Sequence, residues 1–153
     1  ALVEGMAANF KEIGVETKIK APPIPQFFDK QADPDTFAHI GVGTPWPDYR
    51  DPDGHAVRWW SKMIPGREGF KNLAFWENDQ YDELFHQGRQ KTTREEREPI
   101  YNQMQEILFN DPPAIWIGQK KFVRPHTTAL SNLEFTAGSS SYIPVHKVNK
   151  STN

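Results

Sequence analysis

The chain has no cysteine in its 153 residues, which excludes disulfides, a thiolate nucleophile and a zinc ribbon. It also has no block of like charge. With 18 basic against 20 acidic residues the formal net charge is −2, and nucleic acid is a poor partner for such a surface. Its longest unbroken apolar stretches, Ala114–Ile117 among them, fall far short of the roughly 20 residues that cross a bilayer, so no transmembrane segment is expected. No charged-then-apolar leader opens the sequence and Ala1 stands where an initiator Met would be; a processed piece or excised domain is the expectation. What is abundant is proline, 13 against 10 glycines, together with 5 Trp, a composition of rigid loops carrying large aromatics. With 37% hydrophobic residues, the length suits one core.

Apolar spacing predicts the helices. Leu2, Met6, Phe10 and Ile13 share one helical face that Gly14 ends in a left-handed cap. Asn78 or Asp79 caps a helix with Tyr81, Leu84 and Phe85 inward, and Thr93 with Glu96 forms a capping box for a helix carrying Ile100, Tyr101, Met104, Ile107 and Leu108. Pro99 predicts that this last helix begins near Glu96 or kinks before Ile100, and Asp111-Pro112-Pro113 ends it. Val15–Ile19 alternates as a half-buried strand, while Phe37–Val42 and Ala114–Ile117 read as strands buried on both faces. Phe122-Val123 and Tyr142–Val148 are further strand candidates. The prolines of Ala21–Pro25 and Asp33-Pro34-Asp35 mark a connecting segment.

The loop Gly43–Gly54 leaves the carboxyl end of the strand expected at 37–42, the end at which open α/β sheets bind ligands. Trp46, Asp48, Tyr49 and Asp51 set flat apolar faces beside charged acceptors, a combination suited to a cation or an amine. The competing reading makes Asp51 or Asp53 the cap of a helix over 54–60. Asn72 offers donor and acceptor together to a polar ligand, or serves as a turn residue. Of Trp59 and Trp60 at most one faces a ligand, because neighbours on a helix point different ways; Trp76 is another stacking candidate. An EF-hand register on Gly54 puts Tyr49 and Trp60 where carboxylates are required, and the 5 His form neither HExxH nor a helical i,i+4 pair. No metal site and no cofactor are expected. Gly41-Val42-Gly43-Thr44 lacks the rest of a phosphate loop, and Asn149-Lys150-Ser151 is a formal glycosylation sequon.

Several separated motifs resemble one family. Phe10-Lys11-Glu12-Ile13-Gly14-Val15 is similar to its helix-to-strand turn, and Gly43–Pro52, with Asp48-Tyr49-Arg50-Asp51-Pro52, resembles its GWxxDYPDP loop. Asn78–Leu84 resembles its NPEYDxLL segment, and Arg97-x-x-x-Tyr101 through Ile107-Leu108, Asp111 and Pro113-Ala114-Ile115 its RxxxYxxxQxIL…DxPxIP run. The family is that of the solute-binding proteins of ABC importers in the peptide/nickel/oligosaccharide group (bacterial solute-binding protein family 5).

The resemblance implies an α/β fold: one lobe of a periplasmic-binding-protein-like (type II) two-lobed receptor, with a mixed sheet flanked by helices, closing by a hinge. Residues 1–119 then form the C-terminal lobe, and 120–153 the hinge return and terminal strands toward a missing N-terminal lobe. It implies a substrate-binding component without catalysis, in which Asp48 pairs with a ligand amine and Trp46, Tyr49 and Asn72 complete the ligand contacts. The implied partners are a peptide, oligosaccharide or metal complex and the permease subunits. The implied location is periplasmic, or extracytoplasmic and membrane-anchored through a signal or lipoprotein anchor outside this segment. The alternative is a carbohydrate-active enzyme or its binding domain. An isolated lobe is expected to bind solute weakly, and Tyr142–Val148 to self-associate or exchange its amides fastest.

Overall fold

Two polar side chains start the helices that organise the chain. In the computed structural model Asn78 is extended (φ −153°, ψ 111°), and its Oδ1 accepts the amide of Tyr81 at 2.9 Å, which opens α4 (Asp79–Gln90). Thr93 Oγ1 accepts the amide of Glu96 at 3.4 Å and opens α5 (Arg94–Asn110). The return bond of this box runs from the Thr93 hydroxyl to the Glu96 carboxylate, 2.9 Å. The other elements are α1 (Leu2–Glu12), α2 (Ile24–Gln31), α3 (Pro52–Ala56), which packs on α4, and an antiparallel ladder of β1 (Leu130–Ser131) with β2 (Asn149–Lys150). The structure describes residues 2–31, 33, 35–44, 47, 49–118, 121, 123, 125–133 and 144–151.

Joined by residues 91–93, α4 and α5 pack as a helical hairpin whose inner faces carry Tyr81, Leu84, Phe85, Ile100, Tyr101 and Met104. Ala56 and Trp60, from α3 and the 3₁₀ turn after it, close this core from the loop side; the Trp60 and Phe85 rings lie 5.2 Å apart. The hairpin closes tightly because Gly88 leaves room for Tyr101: a Cβ there would sit 3.1 Å from Cζ of that ring. Tyr81 is buried to 1% exposure, and its hydroxyl, which cannot be left unpaired there, donates to the Ala56 carbonyl at 2.9 Å.

The first helix ends as expected, with Gly14 at φ +81°. Pro99 does not delay or break α5, which runs uninterrupted from Arg94. The proline stands in the second turn on the exposed side, where it removes one intrahelical N–H and leaves the buried face of the helix untouched. The connecting segment contains a helix the prolines had hidden: Pro25 falls in the first turn of α2, where a missing N–H costs nothing.

The expected strands at Val15–Ile19, Phe37–Val42 and Ala114–Ile117 are not strands, and Val145–Lys147 is a 3₁₀ turn. A strand needs a neighbour about 4.8 Å away, and among the described residues these segments have none. The ladder between residues 130 and 150 is the sheet of the described residues. A mixed sheet between helices is therefore an expectation about more structure than these residues contain. Phe122, Tyr142 and Ile143 lie outside the described residues.

Burial ranks the side chains by their contribution. Met104, 2% exposed, should cost about 2–5 kcal/mol on truncation to Ala. Phe109, 83% exposed on the same helix, should cost no more than about 0.5 kcal/mol. Urea unfolding of both variants checks this; a large loss at Phe109→Ala would mean that its ring is covered in solution.

Candidate functional site

The acidic loop is built around its own helix cap. Asp51 is extended (φ −142°, ψ 147°), and its Oδ1 accepts the amide of Asp53 at 3.1 Å, with Pro52 taking the first helical position of α3. Gly54 is buried against the loop backbone: a Cβ there would meet the Tyr49 carbonyl oxygen at 2.9 Å. The Tyr49 hydroxyl donates to Asp53 Oδ2, 2.9 Å away, and crosses the loop it belongs to.

Two arginines from the hairpin fix this loop in place. The guanidinium of Arg97 grips the Asp51 carboxylate with both terminal nitrogens, Nη1 to Oδ2 at 2.7 Å and Nη2 to Oδ1. Nη2 also donates to the Tyr101 hydroxyl at 3.0 Å, and the guanidinium lies 5.2 Å from the centre of that ring. Arg89 Nε approaches Asp53 Oδ2 at 3.7 Å. The two carboxyls consequently titrate in opposite directions. The bonds from Arg97 pull Asp51 down to about 2, whereas burial, and then the neighbouring Asp51, push Asp53 up. Burial and the bond to Asp53 raise the Tyr49 phenol.

Of the expected ligand contacts, Trp46 and Asp48 lie outside the described residues. Tyr49 is 49% exposed, so its ring faces solvent while its hydroxyl is held by Asp53. Asn72 is a correction: it is wholly buried, and every polar atom of its amide is used inside the chain. Its Nδ2 donates to the carbonyls of Trp59 and Trp60, both at 3.3 Å, and of Trp76 at 2.8 Å; its Oδ1 accepts the Trp76 amide at 3.3 Å. A solute at the surface has no group of Asn72 left to bond. The cap reading holds for Asp51, and of the tryptophan pair Trp60 is the buried one while Trp59 is half-buried. Arg97, Arg89 and Tyr101 carry the bracing and were not among the expected site residues. The signal for two of them was the i,i+4 spacing of Arg97 and Tyr101, which sets both on one face of α5.

Among the described residues no group of three or more His, Asp or Glu side chains is placed to hold a metal ion, and no helix is long and apolar enough to cross a membrane. No family model matches the chain, and neither a curated protein nor a solved structure matches it at a significant level.

The opposed carboxyls give opposed mutational effects. Asp51→Asn keeps a capping acceptor but loses the pairing with Arg97, and should cost about 1–3 kcal/mol at neutral pH. Because the folded-state value of Asp51 lies below the ordinary value near 3.9, its contribution is complete above about pH 4 and disappears as pH falls toward 2. Asp53 runs the other way. Its raised value favours the fold at low pH, and that advantage is lost as pH rises and the buried carboxyl ionises, so Asp53→Asn should be neutral or stabilising at pH 7. Denaturant unfolding of both variants at pH 7 and pH 3 measures the contrast; equal losses at pH 7 would refute it.

Proposed function

We propose that the chain is the substrate-binding component, or one lobe of it, of an ABC import system. It captures a peptide, oligosaccharide or similar small polar solute outside the cytoplasmic membrane and delivers it to permease subunits. The observation that carries this reading is the meeting of two family-like motifs distant in sequence. Asp51, from the Asp48–Pro52 loop, is gripped by Arg97, from the Arg-x-x-x-Tyr run, 46 residues further on. A third motif supports the same unit, since Asn78 caps α4 and Tyr81 ties it to Ala56. Such bracing suits a binding loop, which must offer its groups without an ordering cost at each encounter.

In this proposal Asp48 receives a ligand amine and Trp46 and Tyr49 supply flat faces, while Asn72 positions the neighbouring segment without touching solute. Asp48→Asn should weaken binding by about 1.5–3 kcal/mol, the range for bonds to charged groups, and Asp53→Asn far less.

The test is a thermal-shift screen against short peptides, oligosaccharides and metal complexes. It is run both on the two-lobed protein that the reading requires and on the 153-residue chain. A ligand at a hundredfold excess over its dissociation constant stabilises the native state by about 2.7 kcal/mol. The two-lobed protein should respond and the single chain much less, because its solute is buried between two faces. Equal affinity of both would remove the two-lobe reading, and turnover of an oligosaccharide would favour the carbohydrate-active alternative.

A further inference from the structure

We propose that Asp53 carries a proton shared with Asp51, and that this proton works as a pH-operated catch on the Tyr49 ring, which is held while the proton is present and released when it leaves. Asp53 is 9% exposed, and its two oxygens are unequal. Oδ2 accepts the Tyr49 hydroxyl at 2.9 Å, whereas Oδ1 is buried and bonds nothing among the described residues. As a carboxylate, Asp53 would leave that oxygen unpaired inside the loop; as an acid, it has a hydroxyl there to donate. The acceptor is Asp51, whose carboxyl lies within hydrogen-bonding reach. Asp51 Oδ1 already takes the Asp53 amide and Arg97 Nη2, and Oδ2 takes Arg97 Nη1, so one acceptor position remains on Oδ2.

The surrounding charges decide which carboxyl holds the proton. Arg97, from α5, bonds Asp51 with both terminal nitrogens and keeps it ionised. Facing Asp53 are Arg89 from α4, whose Nε stands 3.7 Å from Oδ2 on a half-exposed side chain, and Tyr101 from α5, whose hydroxyl accepts from Arg97. His55, on α3 itself, is exposed. A long contact open to water compensates a buried carboxylate poorly, and the two guanidinium groups repel a metal ion from the same place. Ionisation of Asp53 therefore sets two carboxylates side by side. Asp51 is fixed as a helix cap and by Arg97, so Asp53 is the one that turns, toward Arg89 and water. Tyr49, 49% exposed and anchored through its hydroxyl, then loses its hold. Burial first, and Asp51 second, raise the Asp53 carboxyl, so the catch is closed at low pH and opens as pH rises past a point above the ordinary aspartate value near 3.9. Its consequence for solute, regulation of the face that Tyr49 offers, rests on the receptor reading; the shared proton does not.

The test needs no ligand. Carbon-13 NMR of the full chain follows the Asp53 carboxyl and the Tyr49 ring from about pH 3 to about pH 8, the ring signal being assigned with Tyr49→Phe and circular dichroism confirming that the helices persist across the range. The Asp53 carboxyl should titrate above the ordinary aspartate value, and the Tyr49 ring should change with the same midpoint. Asp53→Asn puts an amide donor and a carbonyl acceptor in place of the acid and does not titrate, so Tyr49 should keep its low-pH signal throughout. Asp53→Ala should give the high-pH signal at every pH. An Asp53 carboxyl titrating at or below the ordinary value would overturn the shared proton. A Tyr49 ring that ignores the titration of Asp53, or that changes with the same midpoint in Asp53→Asn, would overturn the catch. The receptor reading fails separately, by a thermal-shift screen in which no solute stabilises the two-lobed protein.

Discussion

The contact between Asp51 and Arg97 fixes the relation of the acidic loop to the helical hairpin. Asp51 has two duties at once, since one carboxylate caps α3 and accepts the guanidinium. A cap alone would orient α3 but leave it free to move relative to α5; an ion pair alone would leave the loop backbone unspecified. Together they determine where Asp53 falls, and through Asp53 where the Tyr49 ring is held. Because Arg97 lies against Tyr101, which in turn fills the space left by Gly88, the loop position is transmitted to the packing of α4 on α5.

Asn72 applies the same logic to the excursion between α3 and α4. Its amide has two hydrogens and faces three carbonyls, so one hydrogen is shared, and the segments 59–60 and 76 are held around a single buried side chain. A second tie, from Asp82 of α4 to the amide of Ser61 at 3.1 Å, fixes the same stretch from the helix side. The result decides the fate of two adjacent tryptophans: Trp60 turns into the core against Phe85, and Trp59 turns outward toward Trp116.

Burial is unevenly distributed along the chain. The buried core draws on residues between Ala56 and Met104, while Ile13, Ile24, Ile115 and Val145, before and after it, are more than two-thirds exposed. A folded unit with large apolar side chains at both of its flanks carries surface suited to being covered. The proposed receptor reading supplies a second lobe as cover.

The sequence by itself determined α1, α4 and α5, because their information is local, while α2 lay hidden behind its prolines. Asn78, Thr93 and Gly14 act on backbone groups within a few residues, and a period of 3.6 needs no knowledge of the partner. It also narrowed the cap to Asp51 or Asp53 and set Trp59 and Trp60 pointing different ways, without deciding which of the two turns inward. Tertiary structure decided the rest. A strand at Val15–Ile19 or Ala114–Ile117 exists only if another backbone lies beside it, so an alternating or apolar pattern states what a segment can pair with and not that it does. Asn72 has the same side chain whether it greets a solute or three carbonyls, and only the packing of residues 59–76 around it selects the second. The bond between Asp51 and Arg97 spans 46 residues, a separation that no local pattern encodes and that the hairpin of α4 and α5 alone brings within reach.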